Sequence, residues 1–216
     1  MTKRALFFAA LILVSSITAF AAKGEVNAGI SISDGQIKNF YLAIGEQYRV
    51  PQKEIIAVHE RNIPNEELPV VYFLAKRAHV RPSAIVELRH AGKSWWDITL
   101  RYHLGADIYH VPVRGALGHP ASRAFTHYRR PKAEWKQIVL NDDDIVTLVN
   151  TRFINDRYGY PREDVVRWRT EGRTFVVIND DVRKIKENRK DNHGDKNEKA
   201  DKEDKPDHRD RDSRSR

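Results

Sequence analysis

From Ile37 onward, apolar residues recur at three- and four-residue steps. Ile37, Phe40, Tyr41, Ile44 and Tyr48 form one stripe, which predicts an amphipathic helix. Pro51 opens a second helix carrying Ile55, Ile56 and Val58, because proline suits a helix start. Asn65 is placed to cap a third, running through Leu68, Val71, Tyr72, Leu74 and Ala75 to about Ala78. Pro82 starts a fourth, with Ile85, Val86 and Leu88, ending near Gly92. Ser94 and Asp97 read as a capping box for a fifth helix with Trp95, Ile98 and Tyr102, stopping at Gly105. Helical pattern resumes from Pro131 to Val139. Asp142 or Asp143 then caps a helix through Ile145, Leu148, Val149, Phe153 and Ile154, which Gly159 ends. Pro161 opens another, with Val165, Val166 and Trp168, ending at Gly172. The segment Phe175 to Val182 is open to helix or strand, and Phe175-Val176-Val177-Ile178 taken alone favours a strand.

Self-similarity resolves that last segment. At an offset of 80 residues, Leu68 falls on Leu148, Leu74 on Ile154, Ile85 on Val165 and Val86 on Val166. Arg89 falls on Arg169, Gly92 on Gly172, Trp95 on Phe175 and Ile98 on Ile178. An offset of 30 gives a weaker copy, with Val50 on Val80, Ile55 on Ile85 and Leu68 on Ile98. The unit is helix, tight turn, helix, glycine stop, then an aromatic residue opening a further helix. Units therefore span about 66–104 and 146–182, with a weaker copy at about 37–68. By this match Phe175 to Val182 is helical. A lone unit cannot bury its apolar faces, so the copies are expected to pack into one all-α domain over residues 35–182. Trp95 is expected in the core with Phe175, and Trp96 only partly covered.

The stretch Leu74-Ala75, Val80, Ile85, Leu88-Arg89, Gly92, Ser94-Trp95, Asp97-Ile98 resembles the helix-turn-helix pattern of small bacterial DNA-binding domains. It is more similar to an uncharacterised family of exported bacterial helical proteins with helix-turn-helix-like repeats. That likeness covers about Phe40 to Val182. It implies a fold, and it implies no activity, cofactor or catalytic residue.

The two ends differ in composition from this body. Met1-Thr2-Lys3-Arg4 is basic, Ala5 to Val14 is apolar, and Ala19-Phe20-Ala21 fits the small-x-small rule of signal peptidase. Residues 1–21 are expected to be a cleaved signal peptide and 22–34 a linker, which places the mature chain in the periplasm or outside the cell. No other stretch is apolar enough to span a bilayer. The chain has no cysteine, so no disulfide or lipid-modified cysteine is available. Arg183 to Arg216 carries 13 Lys/Arg and 10 Asp/Glu and no aliphatic residue larger than alanine after Ile185, a composition expected to stay disordered from about Asn188. The formal charge of the whole chain is +8. Removing Lys3 and Arg4 with the signal leaves about +6, which suits contact with anionic envelope components.

Chemistry is sparse. Gly-x-Ser-x-Gly and His-Glu-x-x-His are absent. His59-Glu60 lacks a second histidine four residues after the first, and helix capping accounts for Asp142-Asp143-Asp144. No cofactor is implied. For nucleic acid, the candidate helices offer Glu87, Arg89 and His90, or Arg162, Arg167 and Arg169. The export signal makes genomic DNA an unfavourable target. His103, His110, His119 and His127 cluster in and beside the connection, with His193 and His208 in the tail. These histidines give a metal-handling alternative, although zinc sites bring ligands at tighter spacings. The connection from 105 to 131 is the strongest candidate for a ligand surface. Its Tyr109, Arg114, His119, Arg123, His127, Tyr128, Arg129 and Arg130 mix aromatic and cationic character, which suits an anionic partner. The competing reading is packing, with Tyr109, Val111, Val113 and Phe125 buried against the helices. The sequence thus points to a non-enzymatic binding or scaffold protein whose partner is an anionic envelope component or another protein, with metal handling and DNA binding as alternatives.

Overall fold

The computed structural model describes residues 33–114 and 123–203, with side chains through Arg189. Among the described residues there are nine α-helices and no strand. They are α1 (Asp34–Tyr48), α2 (Gln52–His59), α3 (Leu68–Ala78), α4 (Pro82–His90), α5 (Trp95–Arg101), α6 (Arg123–Thr126), α7 (Asp142–Tyr158), α8 (Arg162–Thr170) and α9 (Phe175–Glu203). Short 3₁₀ turns occupy Asn65–Glu67, Ala106–Tyr109, His127–Arg129 and Lys132–Gln137. The all-α domain expected from periodicity is the fold observed.

Helix α7 is the hub. It packs on α1, α3, α5, α6, α8 and α9. Its buried residues lie on all sides, from Ile145, Leu148 and Val149 to Thr151, Phe153 and Ile154, as a helix enclosed by neighbours must be. Asn150 on this helix is fully buried, and its amide donates to the Glu66 and Val146 carbonyls at 2.8 and 2.9 Å.

The repeat is visible in backbone and core alike. Three first helices end on a left-handed residue: Arg49 (φ 59°), His79 (φ 56°) and Gly159 (φ 68°). The Val50 and Val80 amides then close the same six-residue loop, donating to the Gly45 and Ala75 carbonyls at 3.0 Å. Each second helix starts at or just after a proline, Pro51, Pro82 or Pro161. Second helices are followed by Asn62 (φ 57°), Gly92 (φ 77°) and Gly172 (φ 87°), positions that match at offsets of 30 and 80. Trp95 and Phe175 are both fully buried, as are Ile85 with Val165, and Ile98 with Ile178. Trp96 is half-buried as expected, although its repeat equivalent Val176 is fully buried.

The two strong units also clamp each other. Arg89 lies over the Trp95 ring at 4.6 Å, and Arg169 lies over Phe175 at 5.0 Å. Both donate to a carbonyl four residues on, Lys93 and Arg173, at 3.1 Å. Each arginine then meets a carboxylate from the opposite unit. Asp142 takes Arg89 at 2.7 Å and accepts from the Trp95 amide at 2.7 Å. Glu66 takes Arg169 at 3.2 Å and accepts from the Phe175 amide.

Several boundaries differ from the sequence expectation. Ser33, with Gln36, makes the capping box of α1. Asn65 caps nothing; its side chain accepts from the Tyr41 hydroxyl at 2.7 Å, and a 3₁₀ turn leads into α3. Asn141 caps α7, boxed with Asp144. Helix α5 stops earlier than Gly105, with a left-handed residue at His103 (φ 56°). The segment after Pro131 is 3₁₀, not α-helix. Among its described residues, the connection expected to be irregular from 105 to 131 contains two 3₁₀ turns and α6. The last helix continues to Glu203, past the point where composition sets the onset of disorder. Its exposed early part is supported by Arg183–Glu187 and Lys184–Asp180 pairs at 2.6 and 2.7 Å, the i,i+4 spacing that favours helix in an alternating-charge sequence. The segment expected to be a signal peptide, the expected linker before Ser33, and residues 115–122 and 204–216 lie outside the described residues.

Candidate functional site

The connection after α5 crosses the helical body as a strap from Ala106 to Arg114. Its apolar side is buried: Tyr109 packs on Phe73 with ring centroids 5.5 Å apart, and its hydroxyl pairs with Thr99 at 2.6 Å. Burial raises the Tyr109 phenol well above its ordinary range, so it stays protonated. Val111 is buried and Val113 half-buried. The Tyr128 hydroxyl donates to the Ala106 carbonyl at 2.6 Å and ties the far arm of the connection to the strap. His110, Tyr128 and Trp135 form a ring cluster, with His110 4.5 Å from Trp135 and Tyr128 edge-on to it.

Two arginines hold the strap from below. Arg152 of α7 donates to the Ile108 carbonyl at 2.9 Å and to the His110 carbonyl. Arg162 of α8 reaches the Pro112 carbonyl at 3.4 Å. Glu163 accepts from the Arg114 amide at 2.7 Å, and that bond holds its carboxyl below the usual range.

These anchors leave a cleft of about 620 Å³ between the strap, α3 and α7. Lys76, Arg77, Arg152, Arg162, His79 and His110 line it, with Asp156 as the one carboxylate. Arg77 and Arg152 both lie over the Phe73 ring, at 5.3 and 5.6 Å. Among the described residues neither makes an ion pair, nor does Arg162. Partial burial and then the neighbouring Arg77 charge lower the Arg152 pKa, against a smaller opposing pull from Asp156. Burial and the Arg152, Lys132 and Arg162 charges lower that of His110. The cleft is a site where positive charge is crowded and under-compensated. An oxyanion entering it would offset the repulsion among these cations.

A second cleft of about 590 Å³ adjoins the first, sharing His110, Val111, Pro112 and Arg162. Arg114, Tyr128, Arg129 and Asn155 complete it, with Glu163.

The candidate residues of the connection separate into groups. Arg114, Tyr128 and Arg129 line the second cleft. Tyr109 is buried, its hydroxyl is taken by Thr99 and it lines neither cleft, which corrects its place among the candidates. Its aromatic ring serves the packing role instead. Arg123 and His127 turn to the other side, where Asp144 takes them at 3.7 and 3.4 Å. Arg130 is exposed, and its carbonyl accepts from the Trp135 indole at 3.1 Å. His119 lies outside the described residues. Packing and ligand display thus coexist in one segment, with Phe125 buried on its inner side.

Lys76, Arg77 and Arg152 escaped the sequence reading, and Arg162 entered it only as a candidate for DNA contact. Arg152 does leave a trace: it stands between Leu148, Val149 and Phe153, a cation inside an apolar helical stripe. The other cations named for a DNA-reading helix are committed elsewhere. Arg89 is held by Glu67 and Asp142, Arg169 by Glu66, and Arg167 by Asp164 and Glu171. Among the described residues no three His, Cys, Asp or Glu side chains come together as a metal-binding group. No described helix is long and apolar enough to cross a membrane. Compared with known proteins, the chain matches no family model, no curated protein and no solved structure.

Proposed function

We propose that this protein is an exported, non-enzymatic helical module that binds an anionic partner in the cleft beneath the strap. One observation carries the reading: Arg77, Arg152 and Arg162 converge on a single cleft without carboxylate partners among the described residues. Cations held close together and part-desolvated gain most when an oxyanion arrives, because charge-assisted hydrogen bonds strengthen as water is excluded. The described residues around them offer binding groups, and among them no nucleophile–base pair directs turnover. The export half of the reading comes from residues 1–21, and amino-terminal sequencing of the mature protein is expected to begin at Ala22.

Calorimetric titration with a sulfated disaccharide and with pyrophosphate tests the cleft. Arg152→Gln removes one charge-assisted contact, worth about 1.5–3 kcal/mol, and is expected to weaken binding about tenfold or more. Arg167→Gln, on an exposed pair of α8, is expected to leave binding within about twofold. Equal affinities for the two variants, or no heat with either anion, would sink the reading.

A further inference from the structure

A third cleft, of about 540 Å³, continues the first one at its other end. The two share Gln47, Tyr48 and Lys76. It runs between the matching turns of the first two repeat units, past Arg49, Val50, Val80 and Pro82. The three clefts therefore join into one groove, from Arg49 through Lys76, Arg77, Arg152 and Arg162 to Arg114. Among the described residues none of these six cations makes an ion pair. A groove with a cation at intervals along its whole length matches a chain ligand better than a compact one.

The walls narrow the kind of chain. A nucleic-acid strand needs open aromatic faces on which bases stack. The rings here are spent on one another: Tyr48 lies between Tyr72 and Phe153, with centroids 5.8 and 6.4 Å away. Phe73 and Phe153 are 6% and 1% exposed. Hydrogen-bond acceptors interrupt the cations. Asp156 and Glu163 sit in the groove, and so do the Gln47 and Asn155 amides. A ligand charged at every unit would meet the two carboxylates unfavourably, whereas hydroxyls placed between charges would donate to them. The Tyr72 hydroxyl adds an independent sign. Tyr72 is 2% exposed, lines the third cleft, and has a buried hydroxyl with no hydrogen-bond partner. Such a group is unfavourable unless an oxygen, of a water or of a ligand in the cleft, reaches it.

We infer that the groove binds a linear acidic polysaccharide, with spaced carboxylate or sulfate groups on the cations and sugar hydroxyls on the acceptors between them. This rests on the anion-binding reading of the central cleft and specifies its ligand.

The test uses the mature full-length chain at about 50 and 200 mM salt with four probes: a heparin disaccharide, a heparin dodecasaccharide, polyphosphate of similar charge, and oligothymidine. The dodecasaccharide is expected to bind at least about tenfold tighter than the disaccharide, and to lose about tenfold or more in affinity at the higher salt. It is expected to outcompete polyphosphate and oligothymidine. Arg49→Asn, which suits the left-handed backbone at that position, removes a cation found only in the third cleft. It is expected to weaken the dodecasaccharide about threefold or more and to leave the disaccharide unchanged. A dodecasaccharide no tighter than the disaccharide, or insensitive to Arg49→Asn, overturns the inference and leaves the central cleft standing. Polyphosphate or oligothymidine binding tighter also overturns it. No binding by any probe removes the central cleft as well.

Discussion

Asp180 shows how one buried charge is made tolerable. It is 2% exposed, near the first unit of the fold, where burial alone would disfavour its ionised form. Burial is the largest influence on its carboxyl, yet the Lys184, Asn39 and Arg183 donors together outweigh it and lower the pKa. The donor distances are 2.7, 2.8 and 3.0 Å. The folded pKa lies below the unfolded value of about 3.9, so the unfolded chain takes up its proton first as pH falls. The stabilisation is therefore complete above about pH 5 and is lost as pH drops through the lowered folded value. Asp180→Asn is expected to reduce the urea midpoint most near neutral pH, with the gap to wild type shrinking toward about pH 3. A gap independent of pH would show that the carboxylate charge is not what stabilises this site.

At the scale of elements, the turn between α1 and α2 depends on a close approach. Gly45 lies in the last turn of α1, where helix propensity alone favours alanine by about 1 kcal/mol. A Cβ there would stand 2.9 Å from the Val50 carbonyl oxygen and 3.4 Å from the Ile55 Cδ1. The Val50 carbonyl belongs to the backbone of the turn and cannot simply swing away. Gly45→Ala is therefore expected to destabilise, by about 1–3 kcal/mol, reversing the sign that propensity gives. Gly35→Ala, in the first turn of the same helix, meets nothing nearer than Ser33 Oγ at 3.9 Å and is expected to be neutral or stabilising. Thermal melts of the two variants separate the effects. The pattern of apolar residues locates Gly45 in a helix, but the neighbours that decide its role lie in the turn and in the next helix.

At the scale of the whole molecule, the reciprocal clamp joins the two strong repeat units. Asp142 and Asp143 both stand in the first turn of α7 and share its dipole, so comparing them isolates the clamp. Asp142→Ala removes the acceptor for Arg89 and for the Trp95 amide, and is expected to cost about 2 kcal/mol. Asp143 is exposed, and Asp143→Ala is expected to stay within about 1 kcal/mol. Equal losses in urea denaturation would mean that the clamp contributes nothing beyond helix capping. Sequence reading assigned this aspartate run to capping, since the partner 47 residues away leaves no local trace. What the sequence determined by itself is the all-α repeat: periodicity, prolines at helix starts and left-handed stops act over a few residues, so they can be read in order along the chain. Even the strand-like run Phe175 to Ile178 yielded to the repeat, because its equivalents around Trp95 carry clear helix signals. Only the tertiary structure decided the cleft. Arg77, Arg152 and Arg162 come from α3, α7 and α8; Arg77 and Arg162 look like ordinary surface cations in their own segments, and Arg152 leaves only the trace of a cation within an apolar stripe. They become one site because α7 packs centrally and the strap closes over it, and charge convergence of that kind depends on which helices are neighbours. The same packing buried Tyr109 and turned Arg123 and His127 toward Asp144, sorting a mixed aromatic and cationic segment into wall, floor and outer face.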